Sequence, residues 1–267
     1  MRWKVYFIFC AAVASGAADL GAGEAVPAEG RMLAFWPAMI GTAAPRKGPD
    51  PLDDAVAAAG GMGRFQRMES FSVEFEESVP GSTETVRTGR RMLRLHDGRS
   101  PRLREESRGP DGNVVVVVTS SGSWATRDGL PVGAAELDGL KSALLKDGFL
   151  DLLPFVVREC GLPLSPMSES GNENHTMNRL AVGGPSPFPE GSDLILYLDK
   201  KSGRLEGVSF GTPTRAVHLA SFGDNKSFMT FPARRTERIP AENRRSETVL
   251  RNIKVNDYLD EGLFAPR

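Results

Sequence analysis

Residues 70–79 read SFSVEFEESV, a run in which Phe71, Val73, Phe75 and Val79 fall on one face and Ser72, Glu74, Glu76 and Ser78 on the other. Successive side chains of a strand point to opposite faces, so this is a β-strand with one side toward a core and the other toward water. Its neighbours extend the reading. Upstream, Pro49-Asp50-Pro51 opens a helical stretch in which Leu52, Val56, Ala59, Phe65 and Met68 recur at near-helical spacing. Downstream, VRTGRRMLRL, RLREESR and VVVVVTS are strands divided by turns at Asp97-Gly98 and Gly109-Pro110-Asp111-Gly112, which makes an antiparallel meander.

The period then changes. Leu137, Leu140, Leu144, Leu145, Phe149, Leu152, Leu153, Val156 and Val157 mark one or two helices over 134–160, with a break near Gly148 or Pro154. A polar stretch from Pro163 to Asn174 reads as a loop, and six strands follow: NRLAVGG, DLILYLD, GRLEGVSFG, RAVHLASFG, KSFMTFPARRTERI and SETVLRNIKV. In the last, period 2 puts Val249, Arg251, Ile253 and Val255 on one face. Asp257 and Asp260 favour a turn, and Leu263, Phe264 and Pro266 form an apolar plug against fraying. The result is a mainly β (α+β) chain of about ten antiparallel strands with one helical insertion. One apolar sheet face must be covered, by the helices or by a ligand.

Composition narrows the function classes. The 267 residues are 40 % apolar and 25 % charged, ordinary for a globular chain, and 33 basic against 34 acidic residues leave a net charge of −1. Nothing there favours nucleic acid. MRWKVYFIFCAAVASGAAD has a basic start (Arg2, Lys4), an apolar run from Val5 to Ala17 and small residues around Ala14 to Ala18. This is a cleavable signal peptide, 1–18, which directs the chain to the periplasm; its apolar run is too short to span a bilayer, so no transmembrane segment is expected after cleavage. The bulky Phe9 before Cys10 argues against a lipid-modified cysteine. Residues 19–50, rich in Gly, Ala and Pro, read as a flexible tether with an apolar patch, MLAFWPAMIG, that either docks on the body or touches a membrane surface, with Pro37 and the lack of close flanking basic residues favouring docking. The folded domain is 51–267.

Enzyme readings fail one by one. After cleavage Cys160 has no partner for an intrachain disulfide and sits in an apolar context, which favours packing over nucleophilic chemistry. His96, His175 and His218 lack metal-ligand spacing, and Ser120-Ser121-Gly122-Ser123 is a turn without a nucleophile elbow. The pairs Glu76-Glu77 and Glu105-Glu106 place neighbours on opposite faces of a strand and read as solvated. The arginines at 87, 90, 91, 94, 99, 102, 104 and 108 leave two readings: a solvent face, or an arginine at the mouth of an apolar cavity that engages an anionic head group.

Taken in order, the exported start, the helix before SFSVEFEESV, the Gly89-containing second strand, RLREE and VVVVVTSSGSWATRDG resemble the N-terminal half of the outer-membrane lipoprotein-sorting (LolA-like) family. Gly122-Ser123-Trp124 looks like that family's Gly-x-x-Trp element, slightly shortened. The end, VNDYLDEGLFAPR, is similar to its closing pattern of Val-x-x-Asn, an acidic turn and Leu-Phe-x-x-Pro, with Pro266 one residue closer. The resemblance covers about 51–267. It implies an incomplete antiparallel β-barrel, helices lidding its concave apolar face, and a non-enzymatic binder of acyl chains or lipidated proteins with no cofactor and no metal. The ligand-facing residues would be Phe71, Val73, Phe75, Leu93, Leu95, Trp124, Leu144, Phe149 and Leu152. The family's cavity arginine lies in an Arg-Pro context, matched most nearly by Arg99-Ser100-Pro101-Arg102, so Arg99 and Arg102 are its candidates. The alternative is a periplasmic protein-interaction or sensor module on the same fold, with a membrane-anchored protein partner.

Overall fold

The computed structural model describes residues 51–80, 85–95, 100–159, 161–167, 170–172, 175–182, 194–210, 215–224 and 229–265. The expected signal peptide and tether (1–50), together with Arg99, His96, Cys160 and Pro266, lie outside the described residues, as do the side chains of His175 and His218.

Two short helices, α1 (Pro51–Ala58) and α2 (Met62–Phe65), lead into a meander of β1 (Ser70–Ser78), β2 (Thr85–Arg94), β3 (Arg102–Gly109), β4 (Gly112–Thr119), β5 (Gly122–Arg127) and β6 (Leu130–Pro131). Helices α3 (Ala134–Asp151) and α4 (Phe155–Glu159) interrupt it. The second half runs through β7 (Leu164–Pro166), β8 (Ser170–Asn172), β9 (His175–Val182), β10 (Leu194–Asp199), β11 (Leu205–Phe210), β12 (Arg215–Asp224), β13 (Thr230–Ile239) and β14 (Arg244–Val255). All fourteen belong to one open sheet, ordered β6-β5-β4-β3-β2-β1-β14-β13-β12-β11-β10-β9-β7, with β8 paired to β9. This is the expected half-barrel with a helical lid. The strands beyond the expected ten are β5 to β8: β6, β7 and β8, of two, three and three residues, are too short to register as period-2 patterns, and β5 (GSWATR) places its apolar residues Trp124 and Ala125 side by side rather than in alternation. Two of them, β7 and β8, occupy the stretch 163–174 that reads as a loop. The helical break falls at Pro154, since α3 runs through Gly148 to Asp151.

The first and last strands pair antiparallel at the centre of the sheet, with Phe71 opposite Val255 and Phe75 opposite Leu250. The chain therefore closes its fold with its C-terminal strand.

That strand does not keep the simple alternation read from its sequence. Glu74 faces Arg251 and Ser72 faces Lys254, so Asn252 and Ile253 together oppose Val73. Asn252 takes the left-handed conformation (φ 51°), which Asn tolerates better than most residues. The extra residue switches faces: Thr248 and Leu250 point into the core before the bulge, Ile253 and Val255 after it. Val249 and Arg251 thus lie on the opposite face from Ile253 and Val255.

Past β14, Asn256 (φ 57°) ties the exit: its backbone N–H donates to the Ser70 carbonyl, its amide nitrogen donates to the Arg67 carbonyl, and its Oδ1 accepts from the Glu69 N–H. The tail crosses to the outer, convex face, where Leu259 and Phe264 are buried against Met92 and Val117. Arg104 donates to the Leu263 carbonyl at 2.6 Å, and Asp260 caps the last turn by accepting from the Gly262 N–H at 2.6 Å. Of the sequence-read plug, Leu263 and Phe264 seal the outside of the half-barrel.

Gly89 shows how tightly the inner face is packed. A Cβ there would meet the Glu106 carbonyl oxygen, the tip of the Phe75 ring at 2.7 Å and the Ser107 Cα at 2.9 Å, because the ring of Phe75 lies across its cross-strand partner. Gly89→Ala is expected to destabilise the protein by at least about 2 kcal/mol through overpacking against backbone. Gly63→Ala, with nothing within 4 Å of the added methyl, should be neutral or slightly stabilising. Chemical denaturation of both variants against wild type measures the contrast.

Candidate functional site

The concave face and its lid form one continuous core. Phe71, Val73 and Phe75 from β1, Leu93 from β2 and Leu95 just beyond it pack with Leu103, Val116, Val118 and Leu250, and with Leu144, Phe149 and Leu152 from the lid. Helix α3 lies so close to the sheet that a Cβ on Gly148 would sit 2.9 Å from Leu103 Cδ2. Helices α1, α2 and α4 pack into the same core; Phe65 stacks on Phe155 at 4.9 Å, and Asp53 pairs with Arg158 at 2.9 Å. The pocket between α1 and the sheet, beside Leu153 and Leu205, holds about 20 Å³, room for little more than a water. Among the described residues the lid packs directly against the sheet.

Two of the anticipated ligand-facing residues are elsewhere. Trp124 belongs to the outer face, packed with Met92 and Val117 and 5.8 Å beneath the Arg104 guanidinium. Alternation explains it: Ala125, its neighbour, takes the inward position on β5. Arg102 also faces outward, its guanidinium 5.7 Å above the Phe264 ring of the tail. Neither lies in the concave face.

Arg91 and Arg235 do lie there. Arg91, on β2, is fully buried, and Arg235, on β13, is 4 % exposed. Between them sit two carboxylates of the lid, Asp147 and Asp151, one helical turn apart on α3. Asp147 accepts from Arg235 through Oδ1 and from Arg91 through Oδ2, both at 2.9 Å. Asp151 repeats the pattern: Oδ1 accepts from Arg235 at 3.2 Å, and Oδ2 accepts from Arg91. Each carboxylate therefore bridges both guanidiniums. Glu105, on β3, completes Arg91 by accepting from Nε at 3.1 Å and Nη2 at 2.9 Å. At the rim, Arg87 joins Glu105, Glu77 and Asp147, and Lys146 joins Glu237 at 3.0 Å. The Phe75 ring lies between the Arg87 and Arg91 guanidiniums, 4.9 and 5.0 Å from its centre.

These contacts correct two sequence readings. Glu105 is buried, and the arginine cluster divides: Arg91 goes to the interior floor, Arg104 to the outer face. Asp147 and Asp151 carried one usable signal, two acids at i and i+4 within the stripe that holds Leu144 and Leu152.

Burial pushes the Asp147 carboxyl up, but the pull of Arg235, Arg91, Lys146 and Arg87 exceeds it and holds the group well below the usual carboxylate range. Burial also pushes Asp151 up, and there Arg91 and Arg235, opposed by the negative Asp147, do not reverse the rise. Of the two, Asp147 is the firmly ionised anion. Among the described residues no group of three or more His, Cys, Asp or Glu is arranged to hold a metal, and no helix is long and apolar enough to cross a membrane.

An open antiparallel half-barrel whose last strand pairs with its first, with helices across its concave face, has solved counterparts. Its fold is similar to that of solved LolA-like domains. A LolA superfamily protein from Nitrosomonas europaea is similar at TM-score 0.50 and 10 % identity, over 81 % of this chain and 96 % of that one. A domain of Vibrio parahaemolyticus assigned to outer-membrane lipoprotein sorting is similar at TM-score 0.51 and 11 % identity, over 76 % and 93 %. A DUF1329 family protein from Desulfovibrio piger is similar at TM-score 0.54 and 12 % identity, over 81 % and 98 %. No protein-family model and no curated protein matches the sequence. The likeness is one of LolA-like architecture, carried by topology at an identity near one residue in ten.

The two lid aspartates should respond differently to loss of charge. Asp147, with its folded pKa depressed, contributes stability above the unfolded value of about 3.9, and that contribution fades as pH falls below it. Asp151, with its folded pKa raised, favours the folded state below the unfolded value, and that contribution fades as pH rises through the folded one. Asp147→Asn is expected to cost about 3–5 kcal/mol at pH 7, because it leaves buried guanidiniums short of an anion, and the deficit should narrow below about pH 4. Asp151→Asn should cost less than half as much. Urea melts from pH 3 to 7 measure both; equal costs would make the two carboxylates equivalent.

Proposed function

We propose that this protein is a periplasmic, non-enzymatic binding protein for acyl chains or lipidated proteins, taking its ligand between the concave sheet and the lid. The observation that carries the reading is the way the lid is held. Helix α3 covers an apolar sheet face through ordinary side-chain packing and a focused set of ion pairs. Acyl chains can replace the packing at similar free energy, about 25 cal/mol per Å² of apolar surface kept from water. An anionic head group can replace Asp147 and Asp151 as counter-ion to Arg91 and Arg235. On this reading the lid carboxylates occupy the place of the ligand's charge, and the head-group arginines are Arg91 and Arg235 rather than Arg99 and Arg102. The exported start of the sequence supports the periplasm, and residues 19–50 serve as the tether of the domain 51–267.

Binding then requires the lid to move, since α3 packs directly on the concave face. Leu103 and Gly148 face each other across the lid and β3, so Leu103→Cys with Gly148→Cys offers a reversible clamp. Wild type and the reduced double variant should bind a fluorophore-labelled fatty acid saturably, and the oxidised variant at least tenfold more weakly, with recovery on reduction; thiol titration reports the extent of closure. Equal binding by the oxidised and reduced forms would rule out entry under the lid. Absence of binding by wild type and by the reduced form would favour the protein-interaction module on the same half-barrel.

A further inference from the structure

The outer face of the C-terminal half of the sheet carries a second feature, remote from the lid. An open cleft of about 720 Å³ lies over β10 to β14, within the size range of small-molecule sites. Its shape follows from the sequence. Gly207 on β11 and Ala216 on β12 supply almost no side chain, so the floor is low, while Tyr197 on β10 forms one wall and Arg238 and Arg245 the other. The register puts these residues on one face: Tyr197 opposite Gly207, Ala216 opposite Arg238, and Arg238 opposite Arg245.

The charge arrangement needs an explanation. Arg238 and Arg245 are direct cross-strand partners, and like charges in that relation destabilise a sheet. Elsewhere on the same strands the problem is solved by pairing: Arg234 meets Glu247 at 2.7 Å. Among the described residues neither Arg238 nor Arg245 has an acidic partner. Arg244, the third arginine of the lining, reaches Glu242 at 3.1 Å, and the lining's one carboxylate is Glu206, at the far side beside Tyr197. Thr236 and Asn243 add hydrogen-bonding groups to the same walls. Two adjacent guanidiniums present planar, forked donors that match the oxygens of a phosphate group bidentately, and a bound phosphate would turn the cross-strand repulsion into attraction.

We infer that this cleft is a binding site for a phosphate group, in a phosphomonoester or phosphodiester, clasped by Arg238 and Arg245 on the outer face. The phosphate has two possible sources, a soluble phosphate compound or a phospholipid head group at a membrane surface. Because the site lies across the sheet from the lid, its occupation does not depend on acyl binding.

The test uses the full mature chain, with Arg238→Gln/Arg245→Gln compared against Arg67→Gln/Lys201→Gln, which removes the same charge from exposed positions elsewhere. Inorganic phosphate is titrated calorimetrically, and co-sedimentation is measured with vesicles of phosphatidylglycerol and phosphatidylcholine. Wild type and the control should bind alike, and the cleft variant at least tenfold more weakly, with a melting temperature no lower than wild type because a like-charge contact is gone. Phosphate should raise the melting temperature of wild type and not that of the cleft variant. Saturable binding of inorganic phosphate identifies a soluble source; vesicle binding alone, sensitive to the cleft variant and not to the control, identifies the head group. Loss of binding in both variants equally, or no binding of either probe by wild type, overturns the site.

Discussion

The structure turns on four buried charges. Arg91 and Arg235 reach in from strands on either side of the central β1–β14 pair, and Asp147 and Asp151 reach down from the lid to bridge them. A buried ion pair contributes little net stability, because desolvation offsets most of the attraction. What it does contribute is a unique placement. Packed aliphatic side chains would let α3 slide or rotate at small cost, whereas four carboxylate oxygens matched to two guanidiniums have one good arrangement. The same cluster therefore sets the register of the lid and joins the N-terminal half of the sheet to the C-terminal half.

This arrangement bears on how such a half-barrel can be both closed and usable. An apolar concave face left open would be an exposed patch of the kind that aggregates, so something must cover it when no ligand does. Here the chain covers it with its own helix and supplies its own anions to the buried arginines. Arg91 and Arg235 thereby have counter-ions in the closed state, and on the proposed function a ligand that displaces the lid offers both apolar surface and a counter-ion. That dual requirement would confer selectivity for amphiphiles over plain hydrocarbon.

The two faces of the sheet are built by different rules. Inside, the strands supply an apolar belt with one ionic patch. Outside, the tail from Leu259 to Phe264 seals the N-terminal half over Met92 and Val117, while the C-terminal half stays open over Gly207 and Ala216. The bulge at Asn252 lets one strand serve both halves, since it re-aims Ile253 and Val255 inward after Thr248 and Leu250 have already pointed there. A strict two-residue alternation over the twelve residues of β14 would have sent one of these pairs into solvent.

Much of this was legible in the sequence, where the physics is local. Alternation in SFSVEFEESV and in the later strands, the switch to helical spacing over 134–160 and the turn residues between them determined an antiparallel sheet with one helical insertion, while the lid and the inward placement of Phe71, Phe75, Leu93, Leu144 and Phe149 were implied by the family resemblance. Three things were decided only by the tertiary structure. Trp124 and Arg102 went to the outer face because side-chain direction depends on sheet register, which sequence spacing alone does not define. The face switch at Asn252 required knowing which strand lay opposite. The burial of Arg91, Glu105, Asp147, Asp151 and Arg235 depended on partners 14 to 88 residues apart. A charged residue in a sequence reads as solvated because isolated burial is prohibitive, and only the fold shows that its counter-charges arrive from distant strands and a helix to make burial affordable.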